Sequence, residues 1–413
     1  MTEPAPIGTP LTASATRVML LGSGELSKEL AISFHRLGLE VHAVDWRAGA
    51  PAQQVAHVAH VVDVTDPRAV TALIRKVEPD FIIPEIESIA VDVLEAAEAA
   101  GAATVVPSSK AVRLATNREG LRRMASEELG LPTMPFEFAS DFTEFELAVG
   151  AVGYPCVAKP NVEGPQAKSL YRIDSADDVE PAWAHLCEGE EKTRVIVERL
   201  VDFDAEITII AVRSIDPETG RLATWFCEPL GHLYRHGHFA ESWQPMRVSE
   251  AALGSARSVA ARVTGALGGR GVFNVRLFVE GEDVYFSEVV PRPHDTGLVT
   301  MVTQRFSQFD LQARAILGYP IDATLVSPGA SSAIISDVAS DAVAYRGLAG
   351  AMEQPETTVE LFGKRGASVG RVMGVVLSTA ENIATALDRA RAGAEAIRLV
   401  PAGGQRGSEA SGA

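Results

Sequence analysis

Glu288, Arg292, His294 and Asp295 crowd into one short stretch, Phe286-Ser-Glu-Val-Val-Pro-Arg-Pro-His-Asp-Thr-Gly297. Val284, Tyr285 and Phe286 favour a strand, and Pro291 ends it. Glu288 then sits at the strand's end. Pro291 and Pro293 stiffen a loop carrying Arg292, His294 and Asp295, which Gly297 closes. A carboxylate there, with Arg, His and Asp just beyond, suits a metal-nucleotide site beside a polar substrate. Glu288, Arg292 and Asp295 are therefore the candidate catalytic residues. A solvated surface loop is the alternative, although Pro-Arg-Pro-His-Asp is unusual for a mere connector.

Other chemistry-bearing groups also fall at strand ends. Gly22-Ser23-Gly24 follows the apolar run Val18 to Leu21, with Asp45 beyond the next strand. This invites a dinucleotide site. However, Ser27 holds the third glycine's place, and Glu25 at the helix start would repel a pyrophosphate. A carboxylate there suits an amine or hydroxyl ligand better. Pro84-Glu85-Ile86-Glu87 is a second acidic pair, in which Glu85 reads as a ligand residue and Glu87 as a helix start. Glu25 and Glu85 are expected to face one crevice together with Asp295. Lys159 in Val-Ala-Lys-Pro is costly to bury unless it meets an anion, and a phosphate is the natural partner. Val195 to Glu198 is a strand ending in a carboxylate. Phe203 to Thr208 alternates, so Asp204 and Glu206 share a face.

The elements that must position these groups are α/β and α+β. An open parallel α/β sheet is expected over 16–117 and an antiparallel set with helices over 118–325, split near 198. A small β-rich unit follows over 326–400, with loose tails at 1–15 and 401–413. Within this plan, a helix is expected to begin at Asn117-Arg118-Glu119 and run over 120–129, another over 249–267, and a strand over 225–229. The chain has 413 residues, with Lys+Arg 37 against Asp+Glu 54, a net charge of −17. Such a surface repels nucleic acid and anionic membrane, and no apolar run approaches the ~20 residues needed to span a bilayer. Cys156, Cys187 and Cys227 show no paired spacing and read as reduced thiols of a cytoplasmic protein.

Lys159, Glu198, Glu206 and the strand-loop from Glu288 to Asp295 together resemble an ATP-grasp enzyme. Further stretches resemble, within that superfamily, the formate-dependent glycinamide ribonucleotide formyltransferases of purine biosynthesis. They are Val18 to Leu26, Pro84 to Glu87, Thr116 to Gly120, Glu241 to Pro245, Phe286 to Gly297 and Leu361 to Lys364. The likeness implies a pre-ATP-grasp sheet, a central ATP-grasp fold and a small C-terminal domain, in a homodimer. It implies ATP-driven formation of formyl phosphate from formate, then formyl transfer to the ribonucleotide's amine. Glu25, Leu26, Glu85 and Asp295 would hold the ribonucleotide, and Lys364 and Arg371 its phosphate. Arg118, Lys159 and Lys168 would bind the phosphates of ATP, Glu198, Arg199, Leu200 and Val201 its adenine, and Glu206 its ribose. Glu288 would hold Mg²⁺.

Three departures stand against that pattern. The loop 161–169 has one glycine and a proline where a flexible glycine-rich loop is expected. Arg276 stands where a second Mg²⁺ carboxylate is expected, would repel the metal, and is expected to pair with Glu288 across neighbouring antiparallel strands. An expected arginine pair is reduced to Arg371-Val372. A ribonucleotide-binding protein with impaired Mg-ATP chemistry, or an ATP-grasp ligase for another acid and amine, are thus the alternatives.

Overall fold

The computed structural model describes residues 6–86, 88–161, 170–187, 194–235 and 237–402. Its first sheet is parallel, in the order Val58–Val61, Glu40–Asp45, Arg17–Leu21, Phe81–Pro84, Thr104–Val105. The central strand is apolar throughout because both of its faces are covered. Val18 and Leu20 pack with Leu30 and Phe34 of the helix Glu25–Arg36, and Met19 and Leu21 pack with Val70 and Leu94. The strand order reverses between Arg17–Leu21 and Phe81–Pro84. Glu25 and Glu85 follow those two strands directly, at the switch point of the sheet.

The second sheet is antiparallel, with nine strands. From one edge it runs Asp283–Val290, Gly271–Glu280, Ala205–Ile215, Leu230–Arg235, His238–Gln244, Gly329–Ile335, Val372–Thr379 and Thr357–Leu361, while Leu222–Phe226 also pairs with Ala205–Ile215. The helix Glu250–Leu267, capped by Ser249, packs Ala256, Ala260 and Val263 against Phe273 and Phe286. The third sheet is Phe136–Ala139, Val195–Arg199, Cys156–Pro160 and Tyr171–Ile173. The Pro132 carbonyl accepts from the Phe286 N–H at 2.8 Å, tying the approach to this sheet onto the large one.

Several expectations are corrected. Residues 6–15 are not a loose tail: the Gly8 N–H donates to Thr16 Oγ1 at 3.2 Å and the Leu11 N–H to Glu40 Oε2 at 2.5 Å. The strand near 225 is Leu222–Phe226, and the hairpin Leu230–Arg235/His238–Gln244 was not anticipated. The helix expected from Asn117-Arg118-Glu119 does begin there, with Asn117 as its cap and Arg118 as its first residue, but it widens into a π-helical turn at Met124–Glu128. Strands beyond 326 do not all form a sheet of their own. Gly329–Ile335 pairs with His238–Gln244, so three of them extend the large sheet, while Val343–Arg346 pairs with Arg398–Pro401. Among the described residues no helix is long and apolar enough to cross a membrane.

The first sheet carries two stacked histidine pairs, His35–His57 at 4.1 Å and His42–His60 at 5.2 Å between ring centroids. Burial, then the neighbouring imidazole, presses the pKa of His35 and of His60 below its ordinary value. A folded-state pKa below the unfolded value of about 6.5 means that protonation opposes folding. The contribution is full above about pH 6.5 and is lost as the pH falls below it. Melting temperature should therefore drop between pH 7.5 and 5.5, and replacing both histidines with glutamine should flatten that drop. Calorimetric melts of the two proteins check this. An equal drop in the variant would contradict it.

Candidate functional site

The strand Asp283–Val290 sends Val284 and Phe286 into the core. Strict alternation would send Glu288 the same way. A β-bulge intervenes: Leu277 faces Phe286, yet its neighbour Arg276 faces Glu288, so Ser287 is the extra residue. Val289 then returns to the core, and Glu288 is turned onto the opposite face. There Arg276 Nη1 lies 2.9 Å from Glu288 Oε1. The same guanidinium places Nε 3.4 Å from Glu206 Oε1 and donates from Nη2 to the Tyr234 hydroxyl at 2.9 Å. Residues of three strands thus converge on one cation carried by a fourth.

Electrostatics follow from that arrangement. Arg276 holds the Glu288 carboxyl down to about 2 against the opposing effect of burial, with help from Lys159, His294 and Arg118. Burial, with Arg276 and Arg292 alongside, pushes the His294 imidazole down to about 3, so it is neutral at physiological pH. Burial raises the Tyr234 phenol, keeping it protonated.

A second cluster lies across a cavity of about 30 Å³ lined by Arg118, Lys159, Glu198 and Glu288. Glu198 lies diagonally opposite Lys159 on the neighbouring strand, within reach of a long side chain. Lys159 Nζ meets Glu198 Oε2 at 2.7 Å, and Arg122 bonds the other carboxylate oxygen. Burial works against ionisation of Glu198, but Lys159 and Arg122 outweigh it and keep its pKa below the ordinary value. Arg118 Nη1 donates to the Pro160 carbonyl at 2.7 Å.

The loop beyond Glu288 is held from below. Buried Gln308 accepts from the His294 N–H at 3.1 Å and donates to the His294 carbonyl at 2.7 Å. A Cβ on Gly297 would fall 2.2 Å from Gln308 Oε1, so glycine is required there. Asn274 Nδ2 donates to the Arg292 carbonyl at 2.8 Å. The rigidity read from the prolines is thus supplied equally by two buried amides.

Glu25 and Lys364 lie elsewhere, in a cleft of about 780 Å³ between the first sheet and the segment 364–371. Lys364 Nζ is 2.7 Å from Glu25 Oε1 and donates to the Val372 carbonyl at 2.7 Å, and Arg371 Nη1 donates to the Gly366 carbonyl at 2.9 Å. Glu85 and Asp295 are not among the residues lining this cleft. Glu85 is buried, and its neighbours Pro84 and Ile86 share a smaller cavity with Pro291 and Arg292.

The remaining expected site residues make these contacts. Arg199 Nη1 donates to the Val152 carbonyl at 3.2 Å and the Leu200 N–H to the Pro155 carbonyl at 3.0 Å, while Val201 follows the strand Val195–Arg199. Leu26 packs against the core around Phe34. Lys168, Glu87 and the loop 162–169 lie outside the described residues. Arg122 and Tyr234 were missed, as was His232, whose Nε2 lies 3.5 Å from Glu206 Oε1. Arg122 is four residues beyond Arg118 on one helix, a spacing that could have revealed it.

Three family models match consecutive parts of the chain: a ribonucleotide synthetase preATP-grasp domain over 15–116, an ATP-grasp domain over 124–309 and the C-terminal domain of PurT over 329–397. The formate-dependent phosphoribosylglycinamide formyltransferase of Corynebacterium efficiens is 58% identical over 96% of this chain and 99% of its own. The same-named protein of Rhodococcus jostii is 52% identical over 97% and 100%. The solved glycinamide-RNase-transformylase T of Mycobacterium tuberculosis superposes with a TM-score of 0.76 at 40% identity, covering 92% of this chain and 99% of that one.

The Mg²⁺ expected at Glu288 does not fit the residues present. Among the described residues, no group of three His, Cys, Asp or Glu side chains is arranged to hold a metal. The two carboxylates that face one another, Glu206 and Glu288, share Arg276 between them. A divalent ion there would meet a guanidinium. Replacing Arg276 with methionine should raise the Glu288 pKa from about 2, since the largest lowering influence is removed while burial remains. Carboxyl-selective NMR titration reads this shift, and an unmoved pKa would contradict the assigned pairing.

Proposed function

This chain belongs to the formate-dependent phosphoribosylglycinamide formyltransferases, and from that premise we propose that it formylates the amine of glycinamide ribonucleotide, using formate and ATP. A formate oxygen attacks the γ-phosphorus of ATP, the bond to the ADP oxygen breaks, and formyl phosphate forms. The amine then attacks the formyl carbon, the carbon–oxygen bond to phosphate breaks, and inorganic phosphate leaves with one formate oxygen.

The observation that carries this reading is the cationic face made by Arg118, Lys159, Arg122 and Arg276 in an acidic chain. Charge develops on phosphate oxygens during the first step, and prearranged cations in a partly dry site stabilise it without reorganisation. Lys159 and Arg118 take the ATP phosphates, with Lys168, which lies outside the described residues. Glu198 to Val201 line the adenine and Glu206 accepts from the ribose hydroxyls. Arg292 orients the formate carboxylate and Asp295 the attacking amine, in a loop that the Gln308 and Asn274 amides keep still. Glu25 and Glu85 contact the ribonucleotide, and Lys364 and Arg371 its phosphate. Arg276 holds Glu288 ionised and both Glu288 and Glu206 in place, and no step is assigned to protein-bound Mg²⁺.

The same proposal divides the chain near 117 and 325 and places it in the cytoplasm as a homodimer. Its support there is the family likeness alone, and light scattering checks the oligomeric state. Activity is checked by ADP release. It should require both formate and glycinamide ribonucleotide, and replacing Lys159 with methionine should lower kcat/KM by about 10²–10³. Ribonucleotide binding without any formate-dependent ADP release would overturn the reading.

A further inference from the structure

Two cations of the large cleft have no role in the account above. Arg47 and Arg365 line it together with Lys364 and Arg371. Arg365 crosses from the 364–371 segment and donates from Nη1 to the Ala48 carbonyl at 3.0 Å. It passes over Gly49, which has φ +73° and whose added Cβ would lie 3.1 Å from Arg365 Cδ. Only a residue without a side chain allows both that turn and that approach. The Arg47 guanidinium lies 4.0 Å from the centroid of the Trp46 ring, an indole left 59% exposed at the cleft. That stacking orients a planar donor whose edge stays available.

The two walls are tied together. Asp45 accepts from the Ser23 N–H at 3.1 Å and from the Arg47 N–H at 3.0 Å, fixing the turn that presents Arg47. Gln54 Nε2 donates to the Gly49 carbonyl at 3.0 Å and to the Gly363 carbonyl at 2.7 Å, joining this turn to the opposite segment. Lys364 is engaged by Glu25 and the Val372 carbonyl, and Arg371 by the Gly366 carbonyl. Among the described residues of the cleft, Arg47 and Arg365 are the exposed cations. A phosphate dianion in a chain of net charge −17 needs such local donors.

Resting on the ribonucleotide reading above, we propose that Arg47 and Arg365 clamp the substrate's phosphate, one from each wall, and make the cleft selective for a phosphorylated ribose. They complement Lys364 and Arg371, which are less exposed. Selectivity then depends on two residues far apart in sequence that meet only through the fold.

The test measures calorimetric affinity for glycinamide ribonucleotide and for its dephosphorylated riboside. It uses the full chain, R47A, R365A, R365K and K364A. R47A and R365A should each weaken ribonucleotide binding roughly 10- to 150-fold, the range of one lost charge-assisted bond. Riboside affinity and melting temperature should stay unchanged, and R365K should recover part of the loss. Equal weakening for both ligands would make the arginines structural latches and overturn the clamp. Unchanged ribonucleotide affinity in R47A and R365A, with K364A weakened, would overturn the clamp while leaving the ribonucleotide reading intact. A wild-type protein that binds neither ligand would overturn that reading, and the clamp with it.

Discussion

The ion pair between Arg276 and Glu288 is the constraint around which the catalytic face is arranged. It exists because Ser287 bulges out of the strand and turns Glu288 away from the core that holds Phe286. One guanidinium then serves Glu288, Glu206 and the Tyr234 hydroxyl. Charges in a partly dry site are costly unless each meets an opposite charge and its remaining donors are satisfied. The arrangement meets that requirement with side chains alone. It also fixes the electrostatic sign at the sheet face, where a carboxylate pair around a divalent ion would need the middle position that Arg276 fills.

The two sites obey one rule at different scales. The chain as a whole is acidic, so anionic substrates are repelled at long range and must be met by local clusters. The first cluster gathers Arg118, Arg122, Lys159 and Arg276 between two sheets. The second gathers Arg47, Lys364, Arg365 and Arg371 from two segments more than three hundred residues apart in the chain, brought together because strands beyond 326 extend the large sheet. The pairing of the sheets supplies the geometry of both.

Much of this was legible in the sequence. The apolar run Val18 to Leu21, the strand ending at Glu288 and the proline-framed loop are local patterns, and local patterns survive folding. The facing of Arg276 and Glu288 was expected from neighbouring antiparallel strands. The bulge that makes it possible was not, because no residue type marks Ser287. The hairpin Leu230–Arg235/His238–Gln244 escaped because Gly231, His232 and His238 interrupt its apolar alternation. Lys159 was correctly seen to need an anion, but its partner here is Glu198, which long-range pairing places diagonally opposite. Arg47 and Arg365 carried no signal at all, since their meeting depends on tertiary contacts through Gly49 and Gln54.

The central claim is that this cationic face drives formyl transfer through formyl phosphate. Turnover with formate labelled at both oxygens by oxygen-18 reads it directly. The account requires the released inorganic phosphate to carry one labelled oxygen per turnover, because the bridging oxygen of formyl phosphate comes from formate. Unlabelled phosphate, released while formylated product accumulates, would contradict it.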